Sequence, residues 1–297
     1  ASGKEVILLE SGGLSANAAT QELAKGEVAD GSRHGPLEQY RKRVFGGTTT
    51  VWGGRCAPFD EIDFEKRGHI PHSGWPISRK DLEPFYKKSQ EYLFTGEFDY
   101  DAATSMEDGG RPVVQGLGDE IWLQDRIWRF SLPANLGAEN REKLTNASNV
   151  RVILNSNVLK LNTNDSGTDI SSVDVGCLDG NRFRVSAKTV IVAAGGLESA
   201  RLLMVSNDVH KNGIGNEHDQ LGRYYFGEVQ FFPKNSQVLW EYQQTQDGVY
   251  AKRQLRIREE VQEEEGLLNI RCILTHPPFA DASHGNAVLS AAYLAKR

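Results

Sequence analysis

Cysteine is scarce in this sequence: Cys56, Cys177 and Cys272 lie far apart and form no C-x-x-C pair. That spacing argues against a disulfide framework and against a cysteine zinc site. Long hydrophobic runs are missing too. No stretch approaches the roughly 20 apolar residues that a helix needs to cross a bilayer, so no membrane span is expected. The formal charge of −6 comes without a basic stripe, and Arg41-Lys42-Arg43, the densest basic run, is too short to suggest a nucleic-acid surface. No G-x-S-x-G occurs, which leaves a serine hydrolase without a visible nucleophile. His69 and His72 are separated by Pro71 and have no partner at ligand-like spacing; they read as loop residues, and no metal site is expected. Internal repeats and low-complexity tracts are also lacking.

What is present is the composition of a water-soluble globular chain, 39% hydrophobic and 25% charged over 297 residues, with room for a packed core and two lobes. Near the start, Val6-Ile7-Leu8-Leu9 runs into Glu10-Ser11-Gly12-Gly13. In a dinucleotide-binding βαβ unit the second strand ends in an acid that accepts hydrogen bonds from the adenosine ribose, about 20 residues after a glycine fingerprint. Glu10 suits that place, and it suits equally an ordinary strand-end acid. Only nine residues precede it, too few for the fingerprint, so the start reads as truncated.

Further along, residues 14–39 read as loop with one short helix, and residues 46–54 are dense in glycine and threonine. Ser78 and Asp81 mark a capped helix start, with Leu82, Phe85, Tyr86 and Leu93 as its apolar side. Residues 99–118 read as surface loop, and 138–147 as a helix. Strands are expected at 149–154 and 158–161, then at 172–178 and 182–185 around the turn dipeptide Asp179-Gly180. The run at 189–196, which has no polar alternation and ends in small residues, reads as a parallel strand buried on both faces, leading into a helix at 197–205. Beyond Arg223, alternating runs at 229–232, 238–242 and 269–274, with an acidic helix at 259–265, suggest a second, antiparallel sheet.

Two segments are the most specific. They are Arg43-Val44-Phe45-Gly46-Gly47-Thr48-Thr49-Thr50-Val51-Trp52-Gly53-Gly54 and Ala193-Ala194-Gly195-Gly196-Leu197-Glu198-Ser199-Ala200-Arg201-Leu202-Leu203. With them the chain resembles the glucose-methanol-choline (GMC) family of FAD-dependent oxidoreductases over nearly its whole length. Gly74-Trp75-Pro76-Ile77 and Asp81-Leu82-Glu83-Pro84-Phe85-Tyr86 are similar to the branch of sugar dehydrogenases and pyranose oxidase. The resemblance implies an α/β fold: a Rossmann-like FAD-binding domain with a β-meander crossover, and an incomplete α+β substrate domain with an antiparallel sheet. The first would span 1–225, lacking its first βα unit and carrying an insertion at about 61–148; the second would begin at 226–297.

By the same resemblance Glu10 would bind the adenosine ribose, Ser11 would be a further cofactor-binding residue, and the backbone of Val158 would meet the adenine edge. Gly46, Gly47, Thr48, Thr49, Trp52 and Gly53 would run past the isoalloxazine, where close backbone N–H groups can stabilise a reduced flavin. Ala193, Ala194 and Gly195 would pack beneath the cofactor. Val51 stands where several relatives carry a histidine bonded to the flavin, so the FAD would be noncovalent. The family's histidine base is expected beyond Arg297, which leaves no catalytic residue in this chain and makes it, taken alone, an inactive fragment of an enzyme. The implied reaction is oxidation of a CH–OH donor, a sugar or other small alcohol, by hydride transfer to flavin N5, with the electron acceptor open. A noncatalytic flavoprotein scaffold is the rival reading, and a NAD-dependent dehydrogenase is weaker because the meander and the glycine-threonine loop have no role in it. Location stays open between cytoplasm and periplasm.

Overall fold

The structure, a computed structural model, describes residues 3–29, 34–107, 122–133, 135–225, 243–272 and 287–295. Its strands are β1 (Val6–Leu9), β2 (Arg55–Cys56), β3 (Leu123–Phe130), β4 (Val150–Ile153), β5 (Asn157–Thr163), β6 (Ile170–Gly176), β7 (Arg182–Val185), β8 (Gln243–Gln244), β9 (Tyr250–Ile257) and β10 (Arg271–Cys272). The helices are α1 (Ala18–Glu22), α2 (Arg79–Leu93), α3 (Ala102–Ser105), α4 (Leu136–Asn146), α5 (Gly196–Val205), α6 (Glu259–Glu264) and α7 (Ala287–Ala295). The fold is mixed α/β with several sheets. It divides into two compact units, one made of Ala1–Val51 and Asn135–Gln230, the other of Trp52–Ala134 and Phe231–Arg297. The described residues between 61 and 133 therefore fall in the same unit as β9 and β10.

In the first unit β1 pairs in parallel with β4, Val6 opposite Val150 and Leu9 opposite Ile153. Next in sequence, β5, β6 and β7 form an antiparallel meander. The β6–β7 turn closes at Gly180, whose φ of 94° is one that glycine adopts without steric cost. Leu161 from β5, Val173 and Val175 from β6 and Leu202 from α5 form the buried cluster, with Leu9, Val158, Val190 and Val192 packed against it. Each such side chain, fully buried, contributes about 1.5–3 kcal/mol relative to exposure. This burial holds α5 on the meander.

The run at 189–196 departs from its expected form. It is not a strand: Ile191 is 84% exposed and Ala193 to Gly196 are exposed as well. A strand exists only where a neighbour takes its backbone hydrogen bonds, and among the described residues β1 pairs with β4 alone. Val190 and Val192 still turn onto the core while Ile191 points away, so one face is covered where two were expected.

The second unit is built on the antiparallel order β10-β9-β3-β2, with β8 also on β9. The long pairing is β3 with β9, from Leu123 opposite Ile257 to Arg129 opposite Ala251. Ala102, Met106, Ile127 and Ala251 form its apolar cluster. The start of α2 is a capping box: the Asp81 N–H donates to Ser78 Oγ at 3.3 Å and the Ser78 N–H to Asp81 Oδ2 at 2.8 Å. Phe85, expected on its apolar side, is 69% exposed. Within the expected loop at 99–118, residues 102–105 form α3. Of the late alternating runs, 229–232 and 238–242 lie outside the described residues, and 269–274 contains β10.

Candidate functional site

At the end of β1 the chain turns sharply, and the turn is held from both sides. The Glu10 N–H donates to Ile153 O at 2.9 Å and Glu10 O accepts from the Ser156 N–H at 2.8 Å, which fixes the residue beside the β4–β5 connection. Its side chain bends back, and Oε1 accepts from the Gly12 N–H at 2.7 Å. Oε2 has no hydrogen-bond partner among the described residues. Burial pushes the Glu10 carboxyl above the usual carboxylate range, opposed by the Gly12 N–H and by the charge of Arg43.

Gly12 has no room for a side chain. A Cβ there would stand 2.4 Å from both Arg43 O and Val44 Cα. The Phe45 N–H donates to Gly13 O at 2.9 Å, so the segment leading into the glycine-threonine loop is laid directly on the Glu10 turn. Beyond it Gly46 has a φ of 97° and abuts Gly137 of α4, where a Cβ would come within 2.8 Å of Gly137 Cα. Gly47 to Thr50 make one 3-10 turn, and Thr49 Oγ1 accepts from the Leu136 N–H at 3.3 Å. Val51, which follows, is 55% exposed.

The structure thus brings Glu10, Ser11, Gly46, Gly47, Thr48 and Thr49 onto one continuous path. Val158 joins them through its neighbour: Ser11 Oγ donates to Asn157 Oδ1 at 2.9 Å, and Val158 pairs with Val175 on the meander. Ala193, Ala194 and Gly195 form an exposed lead into α5, where Gly195 is the N-cap at φ 81°. Trp52 and Gly53 belong to the second unit.

Sequence reasoning missed a cluster of charges in this unit. Glu198, on the first turn of α5, meets Arg41, Arg43 at 3.2 Å and Arg201 at 2.9 Å. Three cations depress its pKa against the burial that would raise it. Arg43 and Glu198 both sit inside the two family-like segments, but no spacing in the sequence pairs them.

The donor set fits a ribose-bearing cofactor. A half-buried carboxylate with one oxygen uncommitted can accept from vicinal hydroxyls, and the side-chain-free Gly12-Gly13 turn lets backbone approach a ligand closely. The second unit contains a separate cavity of about 510 Å³, lined among others by Asp60, Arg79, Tyr100, Arg126, Arg256 and Arg271. No group of three or more His, Cys, Asp or Glu placed to hold a metal occurs among the described residues, and no described helix is long and apolar enough to cross a membrane.

No family model matches the chain. A 2-methyl-1,2-propanediol dehydrogenase of Mycolicibacterium austroafricanum is 24% identical over 230 residues, covering 64% of this chain and 41% of that protein. Among solved structures, an arginine variant of Aspergillus oryzae RIB40 formate oxidase, made to follow FAD modification, aligns over 68% of this chain and 43% of its own, at 16% identity and a TM-score of 0.37. Another formate oxidase crystal structure aligns at 15% identity and a TM-score of 0.36. The chain spans about two fifths of the length of these relatives, which are oxidoreductases.

Proposed function

We propose that the chain is part of an FAD-dependent oxidoreductase of the GMC type that oxidises a CH–OH donor, a sugar, polyol or related small alcohol. The observation that carries this reading is the turn at Glu10: a strand-end carboxylate with one oxygen uncommitted, fixed beside the first residues of the meander and overlaid by the glycine-threonine segment. The likeness to a diol dehydrogenase supports an alcohol as donor. When bound, the flavin would accept the hydride that the donor carbon gives up.

In this reading Glu10 and Ser11 bind the adenosine ribose, the Val158 backbone meets the adenine, and Gly46, Gly47, Thr48, Thr49, Trp52 and Gly53 line the isoalloxazine. Ala193, Ala194 and Gly195 lie along the cofactor ahead of α5. Val51 offers no nucleophile, so the FAD is held noncovalently. No residue of this chain is assigned as the base. The test is the absorption spectrum of the purified protein expressed from its complete gene. Flavin bands support the reading, and a colourless protein that binds NAD overturns it.

A further inference from the structure

Four segments that the functional reading treats separately are joined by one line of polar contacts. Glu198 of α5 holds Arg43; Arg43 Nη1 donates to Ser11 Oγ at 2.8 Å; Ser11 Oγ donates to Asn157 Oδ1 at 2.9 Å, at the start of β5. The guanidinium is held elsewhere too, since Nη2 donates to Leu23 O at 3.3 Å, and the backbone N–H of Arg43 donates to Gln21 Oε1 at 3.1 Å. Its side chain is 16% exposed and that of Glu198 15%. We propose that Arg43, oriented by Glu198, is the positioning residue for the ribose-binding pair Glu10 and Ser11, and so sets affinity for the adenosine half of the cofactor.

First, a serine hydroxyl rotates freely unless its neighbours fix it; here Arg43 can only donate and the Asn157 oxygen only accept, so Ser11 Oγ has one orientation. Second, Arg43 is the cation whose charge acts on Glu10, and it favours the ionised carboxylate that accepts from hydroxyls, against the burial that opposes ionisation. Third, the contacts are costly for stability alone. The buried Arg43 Nε has no partner among the described residues, and Glu198 offers one negative charge to three arginines. A cluster with surplus positive charge beside a carboxylate is better suited to orienting that carboxylate than to sealing a core.

The inference rests on the reading that Glu10 takes the ribose of FAD, and the test separates the two. Apoprotein from the complete gene is titrated with FAD, with ADP and with FMN, which lacks adenosine, in wild type, Glu10→Gln, Arg43→Met, Arg43→Lys and Glu198→Gln. Arg43→Met should weaken FAD and ADP about tenfold, the worth of one charge-assisted hydrogen bond, and leave FMN affinity within about twofold. Arg43→Lys should fall between wild type and Arg43→Met, and carries the test if Arg43→Met does not fold; Glu198→Gln should reproduce the selective loss in weaker form. Equal weakening of FAD and FMN would make Arg43 a structural tie and overturn the proposal. Loss of affinity in Glu10→Gln with none in either Arg43 variant overturns it alone, whereas a wild type that binds no FAD overturns it together with the functional reading.

Discussion

In the second unit Arg129 on β3 and Asp247, just ahead of β9, are 118 positions apart in sequence and meet through Arg129 Nη1, 2.8 Å from Oδ1 and 2.9 Å from Oδ2. The arginine side chain is 1% exposed. Asp247 also accepts the Glu97 N–H at 2.7 Å, and despite the opposing effect of burial its pKa is held at about 2 by this bond and others, including that from Arg129. Asp247→Ala would leave a buried cation without its counter-charge, and should lower unfolding free energy by about 3–5 kcal/mol. Urea denaturation is the check. A loss below about 1 kcal/mol would mean that the pair is no more than a surface contact.

Asp60 should give the second unit a pH dependence. Burial works to raise its pKa, but the charge of Arg271 and the bonds from Arg256 and Asn269 outweigh burial and hold it at about 2, against an ordinary 3.8. The unfolded chain takes up this proton first as pH falls. The stabilisation, roughly 2 kcal/mol, is therefore complete above about pH 4 and disappears as pH drops through about 2. Denaturation midpoints of wild type should fall more steeply between pH 4 and 2 than those of Asp60→Asn.

Glu10→Ala, made in the complete protein, should weaken FAD at least tenfold, because a hydrogen bond to a charged group is worth about 1.5–3 kcal/mol. Glu10→Asp should lose less, keeping the charge on a shorter stem. Fluorescence titration gives both constants. Equal affinity in the alanine variant would reduce Glu10 to a strand-end acid.

Acid precipitation of the complete protein should release all of its FAD, since Val51 cannot form a bond to the ring. Colour that stays in the pellet would show a link through another residue and displace the assignment of Gly46 to Trp52.

Gly46→Ala should destabilise the first unit by about 1–3 kcal/mol. Its φ of 97° disfavours a side chain, and the added carbon would stand 2.8 Å from Gly137 Cα, which is backbone and yields little. Thermal unfolding measures the loss, and an unchanged midpoint would mean that α4 moves aside at no cost.

Where local chemistry determined an element, the sequence was legible. The cap of α2 needs only Ser78 and Asp81, and the β6–β7 hairpin needs only a turn that tolerates positive φ. The β3–β9 pairing was harder to see because its buried positions carry Arg129, Arg253 and Arg256, so alternation of polar and apolar residues is lost. The run at 189–196 misled for the opposite reason: its composition suits burial on two faces, while strand formation depends on a neighbour that its own residues do not supply. At the candidate site, Glu10 and the glycine-threonine loop could be proposed from type and spacing. Arg43 and Glu198 could not be paired, because nothing in a sequence states that positions 43 and 198 share an ion pair.

The clearance at Gly12 bears on engineering. Because Arg43 O and Val44 Cα occupy the space that any side chain at position 12 would need, the Glu10 turn and the Arg43-Val44 segment cannot be exchanged independently. A designer who replaces the glycine-threonine loop of this scaffold must keep glycine at position 12 and a partner for position 43 at position 198, three patches of sequence inherited as one part.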